Sequence, residues 1–596
     1  MTPTTDTYLL LRAFVDELAR CGMRAACTSP GSRCAPLVLT LARERRLRCY
    51  SHLDERCAGF FALGLAKASR LPVAVACTSG TAAAELLPAA IEAREARVPL
   101  LLLTADRPAE LREVGAGQAI DQLKLFGGAA KWFFEVAVHD AGEERLRWIR
   151  TLACRAYSTA LEDRPGVVHL NFPLREPLVT DEPLPEDCTG RASGRPYVER
   201  AERRPFAGEQ EDVAAGELGE LLRSSQRGVV VAGRHERRTD LGAAAATFCE
   251  RAGWPLLADP LSGARRGEAA IAHYDAILRD ETFARSQRPD LVIRVGDLPV
   301  SKPLRTWLAE LNDIPQLALD PEHAWQDPAS VLSDSLAIEP AGALEELQRI
   351  PLTSEKDWLS RWKLADERAA GAILGVLGAE GLSEPTVAGE LGVLLPEEAT
   401  LFVASSMPVR DVETFWPVRP DPPRVLCNRG ANGIDGIVSS AFGAAAAEQG
   451  PVVLLIGDVA LAYDIGGLLA ASRLDLKLTI VLLENSGGGI FDFLPVSKAA
   501  MARSAPAGDA SASALDEDIY TRHIATPTGL DFARAAALYG LEHERADDVF
   551  AFREALERAL VHPRSSIVEV RSERAANVEL HRRVWEAVSK ACAATT

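Results

Sequence analysis

No apolar run in this sequence is long enough to cross a bilayer. The longest, such as Val452-Val453-Leu454-Leu455-Ile456 and Leu478-Thr479-Ile480-Val481-Leu482-Leu483, have the length of buried strands. No basic stretch precedes an apolar one at the start, where Asp6, Asp16 and Glu17 stand instead, so no secretion signal is expected. Positive charge is in deficit: 66 Lys and Arg against 84 Asp and Glu leave a net charge of −18. That argues against a nucleic-acid partner, while leaving room for a local basic pocket. The 11 cysteines are odd in number and include no Cys-x-x-Cys pair. Reduced thiols in a cytoplasm are therefore expected, with neither a disulfide framework nor a zinc site. There is no short-period repeat and no low-complexity tail.

What is present is an α/β rhythm in a 596-residue chain, too long for one core. Strand-like runs at Ala25-Ala26-Cys27, Val73-Ala74-Val75-Ala76-Cys77 and 98–103 alternate with helical stretches at 7–22, 82–93 and after Asp54. Val167-Val168-His169-Leu170-Asn171 closes this first region. The alternation predicts doubly wound parallel sheets. Residues 180–205, rich in Pro, Gly and charge, read as a linker. A second α/β region starts at Gly228-Val229-Val230-Val231, and a charged helical connection at 356–384 leads to a third. The expected domains are 1–185, 200–355 and 380–596.

Chemistry concentrates where strands end. Val452 to Ile456 runs into Gly457-Asp458, and the strand at 478–483 runs into Glu484-Asn485-Ser486-Gly487-Gly488-Gly489. In a β-α-β unit both tips reach the same sheet edge, where ligands of such sheets bind. A carboxylate, an amide oxygen and a backbone carbonyl form a hard-oxygen set suited to Mg²⁺, and glycines let backbone approach a diphosphate closely. Other tips carry small hydroxyls and cations: Thr28-Ser29-Pro30-Gly31-Ser32-Arg33, Thr78-Ser79-Gly80-Thr81, Asp106-Arg107-Pro108, Ser405-Ser406-Met407-Pro408-Val409-Arg410, and Asn428-Arg429-Gly430-Ala431-Asn432-Gly433-Ile434-Asp435-Gly436. Residues 497–516, rich in Ala, Ser and Gly, read as a mobile lid beside the diphosphate site.

Gly-Asp, a crossover, then Asn resembles the signature of thiamine-diphosphate enzymes. The tips above, together with Asp54-Glu55-Arg56, Gly117-Gln118-Ala119-Ile120-Asp121-Gln122 and Gly487-Gly488-Gly489-Ile490-Phe491, resemble one family among them: the 2-succinyl-5-enolpyruvyl-6-hydroxy-3-cyclohexene-1-carboxylate (SEPHCHC) synthases of menaquinone biosynthesis. The resemblance implies three thiamine-diphosphate-enzyme domains: pyrimidine-binding, central, and diphosphate/Mg-binding. It implies decarboxylation of 2-oxoglutarate and addition of the resulting carbanion to isochorismate. Thiamine diphosphate would be held by Gly457, Asp458, Asn485 and Gly487. Mg²⁺, with Mn²⁺ as a substitute, would be held by Asp458, Asn485 and the Gly487 carbonyl. Glu55 would serve the aminopyrimidine, and Ile434 would keep the cofactor bent. Arg33, Arg107, Lys302, Arg410 and Arg429, with Ser32, Gln118 and Ser406, would bind the two dicarboxylic substrates, as Arg does by paired hydrogen bonds. A homodimer or homotetramer is implied, with the cofactor between subunits. Two departures from the family pattern stand out: Glu484 replaces the first of the usual two Asn, and Thr526-Pro527-Thr528-Gly529 lacks the His expected after its Pro. The competing readings are another thiamine-diphosphate 2-oxoacid decarboxylase or carboligase, and a non-catalytic binding protein on this fold.

Overall fold

The computed structural model describes residues 2–137, 140–199, 217–236, 239–497 and 519–593. The lid expected at 497–516 lies almost wholly outside them. Three sheets are present, and every strand pairing within them is parallel. The first contains β1 (Ala25–Thr28), β2 (Arg48–Ser51), β3 (Val73–Cys77), β4 (Leu100–Asp106), β5 (Ala130–Glu135) and β6 (Val167–Pro173) in the order β2-β1-β3-β4-β6-β5. The second contains β7 (Gly228–Ala232), β8 (Leu256–Ala258), β9 (Leu291–Val295), β10 (Gln316–Leu319) and β11 (Asp334–Leu336) in the order β11-β10-β9-β7-β8. The third contains β12 (Thr400–Val403), β13 (Arg424–Leu426), β14 (Val452–Gly457), β15 (Thr479–Glu484), β16 (Glu542–Ala546) and β17 (Ser566–Arg571) in the order β13-β12-β14-β15-β17-β16. The first and third sheets thus have the same topology, strand for strand. Their central strands, such as β3 and β4, are buried along their whole length, which is why they read as unbroken apolar runs.

Local chemistry adjusts the expected boundaries. The first helix runs Pro3–Cys21, because Thr2 caps it by accepting from the Thr5 N–H, Pro3 suits its first turn, and Gly22 ends it at φ 114°. The Ala-rich stretch expected as one helix at 82–93 is two, Thr81–Ala84 and Leu87–Ala96. Pro88 has no N–H to offer the preceding turn and starts a new helix.

Packing divides the chain into two units. The first comprises Met1–Arg204, Asn428–Gln449 and Asp464–Lys477. Within it the helix Glu55–Ser69 crosses the helix Ile437–Ala445 through glycines: a Cβ on Gly64 would lie 1.9 Å from the Ser440 carbonyl oxygen, and one on Gly443 2.0 Å from that of Phe61. The second unit comprises Pro205–Cys427, Gly450–Tyr463 and Leu478–Thr596. It holds the second and third sheets around one continuous apolar core that includes Trp254, Trp358 and Trp362. Among the described residues no helix is long and apolar enough to cross a membrane.

Candidate active site

In the second unit β14 and β15 lie side by side, so their tips meet as expected. Asp458 opens a short helix, Asp458–Tyr463, and is 2 % exposed. Its Oδ2 accepts the Gly487 N–H at 2.9 Å. Gly487 sits at φ 135°, where a Cβ would come within 2.4 Å of the Ala525 carbonyl oxygen, so only glycine fits there. The Gly488 N–H donates to that same oxygen at 2.7 Å, fixing the turn. Asn485 donates through Nδ2 to Glu384 at 2.9 Å, while its Oδ1 is buried with no hydrogen-bond partner. A buried acceptor without a donor is costly, and a cation beside Asp458 would remove that cost. The donor set is hard oxygen and fits Mg²⁺ or Mn²⁺. Burial pushes the Asp458 carboxyl up to about 6; backbone N–H donors of Val459 and Gly487 oppose this, and the Glu484 charge adds to it. Glu484, the departure from the expected Asn, is occupied locally. It accepts from the Ser486 N–H and Oγ–H, each at 3.0 Å, and lies 3.7 Å from Arg571. Gly457 ends β14 and places Asp458 at its tip.

The first unit collects a different chemistry. Glu55 is the first residue of its helix, and the Asp54 carboxylate caps that helix by accepting from Arg56 N–H at 2.8 Å. Burial raises the Glu55 carboxyl above the ordinary carboxylate range; backbone hydrogen bonding at the helix start opposes this, and the charges of Asp54 and Glu85 add to it. At the tips of β1, β3 and β4 stand Arg33, Ser79 and Arg107. Arg107 donates to Ser79 Oγ, and Gln118 donates from Nε2 to the Ser79 carbonyl at 3.0 Å. Arg33 is buried, bonded to the Leu174 carbonyl at 2.8 Å and paired with Glu176 at 3.0 Å. Burial and the charge of Arg33 hold the Arg107 guanidinium below its ordinary range. Ser32 is an exposed turn residue: its carbonyl accepts from Ala35, and the next helix starts only at Ala35. The structure therefore brings Arg107 and Gln118 together at Ser79, with Arg33 near enough for its charge to act on Arg107. The loop bearing Arg429 and Ile434, both half-buried, is held from below by Glu92. The Glu92 carboxylate accepts the Gly430 and Ala431 N–H groups at 2.8 and 2.6 Å.

Lys302, Ser406 and Arg410 belong to the second unit. Lys302 is exposed and begins the helix Lys302–Glu310. Ser406 precedes the helix Met407–Phe415 at φ 77°, and its carbonyl accepts from the exposed Arg410. The two helices meet at buried Asp275, which accepts from Ser301 Oγ at 2.7 Å and Thr414 Oγ1 at 3.1 Å. Four non-glycine residues at these tips have left-handed backbone: Gln118 (60°), Ser406 (77°), Asn432 (66°) and Ser486 (59°). Such strain gathers at functional sites.

The N-terminal thiamine pyrophosphate (TPP) binding domain of thiamine pyrophosphate enzymes matches residues 10–125, the middle domain 195–403 and the C-terminal TPP binding domain 408–570. The 2-succinyl-5-enolpyruvyl-6-hydroxy-3-cyclohexene-1-carboxylate synthase of Listeria innocua is 40% identical over 589 residues, covering 98% of this chain and 97% of that protein. The protein of the same name from Geobacillus kaustophilus is 44% identical over 589 residues, covering 97% of each. The chain belongs to the SEPHCHC synthase family. A solved benzoylformate decarboxylase from Polynucleobacter necessarius, 17% identical with a TM-score of 0.68 over 95% of this chain and 98% of that one, has the same fold.

For a SEPHCHC synthase family chain, several residues that sequence reasoning did not single out touch the candidate set. Ser79 stands in the Thr78-Ser79-Gly80-Thr81 tip, but its place as the meeting point of Arg107 and Gln118 has no mark in the sequence. Glu92 and Glu384 had no signal at all, since each is an isolated acid in an ordinary helix. Arg574 lies against the Gly487 turn with its Nη1 buried and unpartnered; a Cβ on Gly487 would be 3.0 Å from it.

Proposed function

We propose that this chain carries out the thiamine-diphosphate-dependent decarboxylation of 2-oxoglutarate and the addition of the succinyl fragment to isochorismate, giving SEPHCHC. The observation that carries this reading is the extent of the likeness: proteins named for this synthase match 97–98% of the chain. Asp458, Asn485 and the Gly487 carbonyl would hold Mg²⁺ or Mn²⁺, and Gly457 would let the diphosphate approach; the unpartnered Asn485 Oδ1 supports this set. Thiamine diphosphate, when bound, supplies the carbon nucleophile and the electron sink for decarboxylation.

The chain's own residues do the rest. Glu55 holds or releases a proton at the aminopyrimidine N1′, a task suited to a carboxyl whose ionisation is raised by burial. Ile434 would supply an apolar side chain to hold the cofactor when it is bound. Arg33, Arg107 and Arg429, with Ser32 and Gln118, and on the other unit Lys302, Arg410 and Ser406, bind and orient two dicarboxylic acids. Guanidinium and ammonium groups favour carboxylates through charge-assisted hydrogen bonds. The domains 1–185, 200–355 and 380–596 would serve as pyrimidine-binding, central and diphosphate-binding parts, in a homodimer or homotetramer. The test is CO₂ release from 2-oxoglutarate by the full chain with Mg²⁺ and thiamine diphosphate, with and without isochorismate. The expected result is release with a new adduct of the summed mass, less CO₂. Release without an adduct would remove isochorismate from the reading, and no release from any 2-oxoacid would overturn it.

A further inference from the structure

Directly behind Asn485 lies an acid to which nothing so far gives a role. Glu384 begins the helix Glu384–Leu394 and is 1 % exposed. It is not the cap of that helix: Ser383 is, accepting the Thr386 N–H at 3.3 Å. Instead Glu384 Oε1 accepts two side-chain donors, Asn485 Nδ2 at 2.9 Å and Ser572 Oγ at 2.7 Å. Ser572 is itself tied to the tip of β15, its N–H donating to the Glu484 carbonyl at 3.0 Å.

A carboxylate in this place is costly, because an apolar side chain of the same size would be buried more cheaply. It does something an apolar side chain cannot. An asparagine amide has a donor end and an acceptor end of nearly equal shape. Left alone, it presents either end with little penalty. A carboxylate accepts only, so it captures Nδ2 and turns Oδ1 the other way, into the buried position where it has no protein partner. Asn485 in the opposite flip would offer N–H groups to a cation and would not ligate it.

We propose that Glu384 is a positioning residue for the divalent cation: by holding Nδ2 of Asn485 it commits Oδ1 to the metal. This rests on the reading of Asp458, Asn485 and Gly487 as metal ligands. Residues that orient a ligand contribute to affinity even though they never touch the metal, and their loss typically weakens binding about 10- to 100-fold.

The test is Mn²⁺ binding to the full-length protein at saturating thiamine diphosphate, with free Mn²⁺ followed by electron paramagnetic resonance. Melting without metal or cofactor is read in parallel. Glu384→Leu is expected to weaken Mn²⁺ binding by about 10- to 100-fold, and to lower the metal-free melt only as far as the loss of its two buried hydrogen bonds requires. Glu384→Gln, whose carbonyl still accepts, is expected to keep most of the affinity. Should Glu384→Leu fail to fold, Glu384→Ala is titrated with and without acetate, and recovery of Mn²⁺ affinity by acetate supports the role. Wild-type Mn²⁺ affinity in Glu384→Leu, or in Glu384→Ala without acetate, overturns it. Asp458→Ala separates the two layers. If it binds Mn²⁺ like the wild type, the ligand reading itself falls; if it loses binding while Glu384→Leu does not, only the role of Glu384 falls.

Discussion

Glu55 and Asp458 each open a helix, and burial raises both carboxyls, yet their surroundings differ. Asp458 accepts a backbone N–H and stands at a strand tip beside the one that bears the unpartnered Asn485 amide oxygen, an arrangement for a cation. Glu55 has the acids Asp54 and Glu85 as its charged neighbours, and both favour the protonated carboxyl, an arrangement for a proton. Glu55→Gln keeps the shape and removes the proton exchange. Turnover is expected to fall by about 10²- to 10⁴-fold, with circular dichroism and melting unchanged; near-normal turnover would end this assignment. Arg107 offers a second test. It donates to Ser79 Oγ, and the pairing with a substrate carboxylate proposed for it would use the planar fork that Lys lacks. Arg107→Lys is expected to raise KM for 2-oxoglutarate by about tenfold or more, with a smaller effect on kcat. An unchanged KM would move the substrate elsewhere.

At the scale of elements, the crossing of the helices Glu55–Ser69 and Ile437–Ala445 sets where Glu55 stands. Gly64 and Gly443 let backbone meet backbone, and Ser440 Oγ spans the gap, donating to the Phe60 carbonyl at 3.0 Å and accepting from Asn428 Nδ2 at 2.9 Å. Gly64→Ala therefore meets a carbonyl, not a flexible side chain. We expect a loss of at least about 1–3 kcal/mol, read by urea unfolding, while Gly371→Ala, with open space around it, costs nothing. Much of this level was legible in the sequence. Central strands such as β4 and β14 are buried on both faces and wrote themselves as apolar runs. Two edge strands did not: β16 is Glu-His-Glu-Arg-Ala, with Glu542, Glu544 and Arg545 exposed, and β5 mixes Lys and Glu with aromatics. The strand pairings there are made by backbone, which composition does not record. The tips were legible because glycines and hydroxyls mark where strands end. Their supports, Glu92 and Glu384, were not, because a carboxylate that accepts from donors distant in sequence, backbone for Glu92 and side chains for Glu384, looks in sequence like any surface acid.

At the scale of the whole chain, the first unit is assembled from three separated stretches, and one carboxylate touches all three. Asp464 accepts the Ser439 N–H at 2.7 Å and Oγ–H at 3.1 Å, and Cys57 approaches it at 3.8 Å. Burial lifts its carboxyl to about 6, the Ser439 donors oppose this, and Asp54 adds to it. The folded state therefore holds the proton more tightly than the unfolded chain. By linkage, this group's contribution is fully present below its ordinary value of 3.8 and is lost as pH rises through about 6. The full difference is about 3 kcal/mol. Asp464→Asn keeps an acceptor for the Ser439 N–H and never ionises. Relative to the wild type, it is expected to gain stability progressively between pH 4 and pH 7 and to hold that gain above. The check is paired denaturant unfolding of the two proteins at pH 4.5 and 7.5. A pH-independent difference would mean that Asp464 ionises as easily in the fold as outside it. A loss that appears only at pH 7.5 would mean that the negative charge, and not the hydrogen bonds, joins Ser439 and Cys57 across the three stretches.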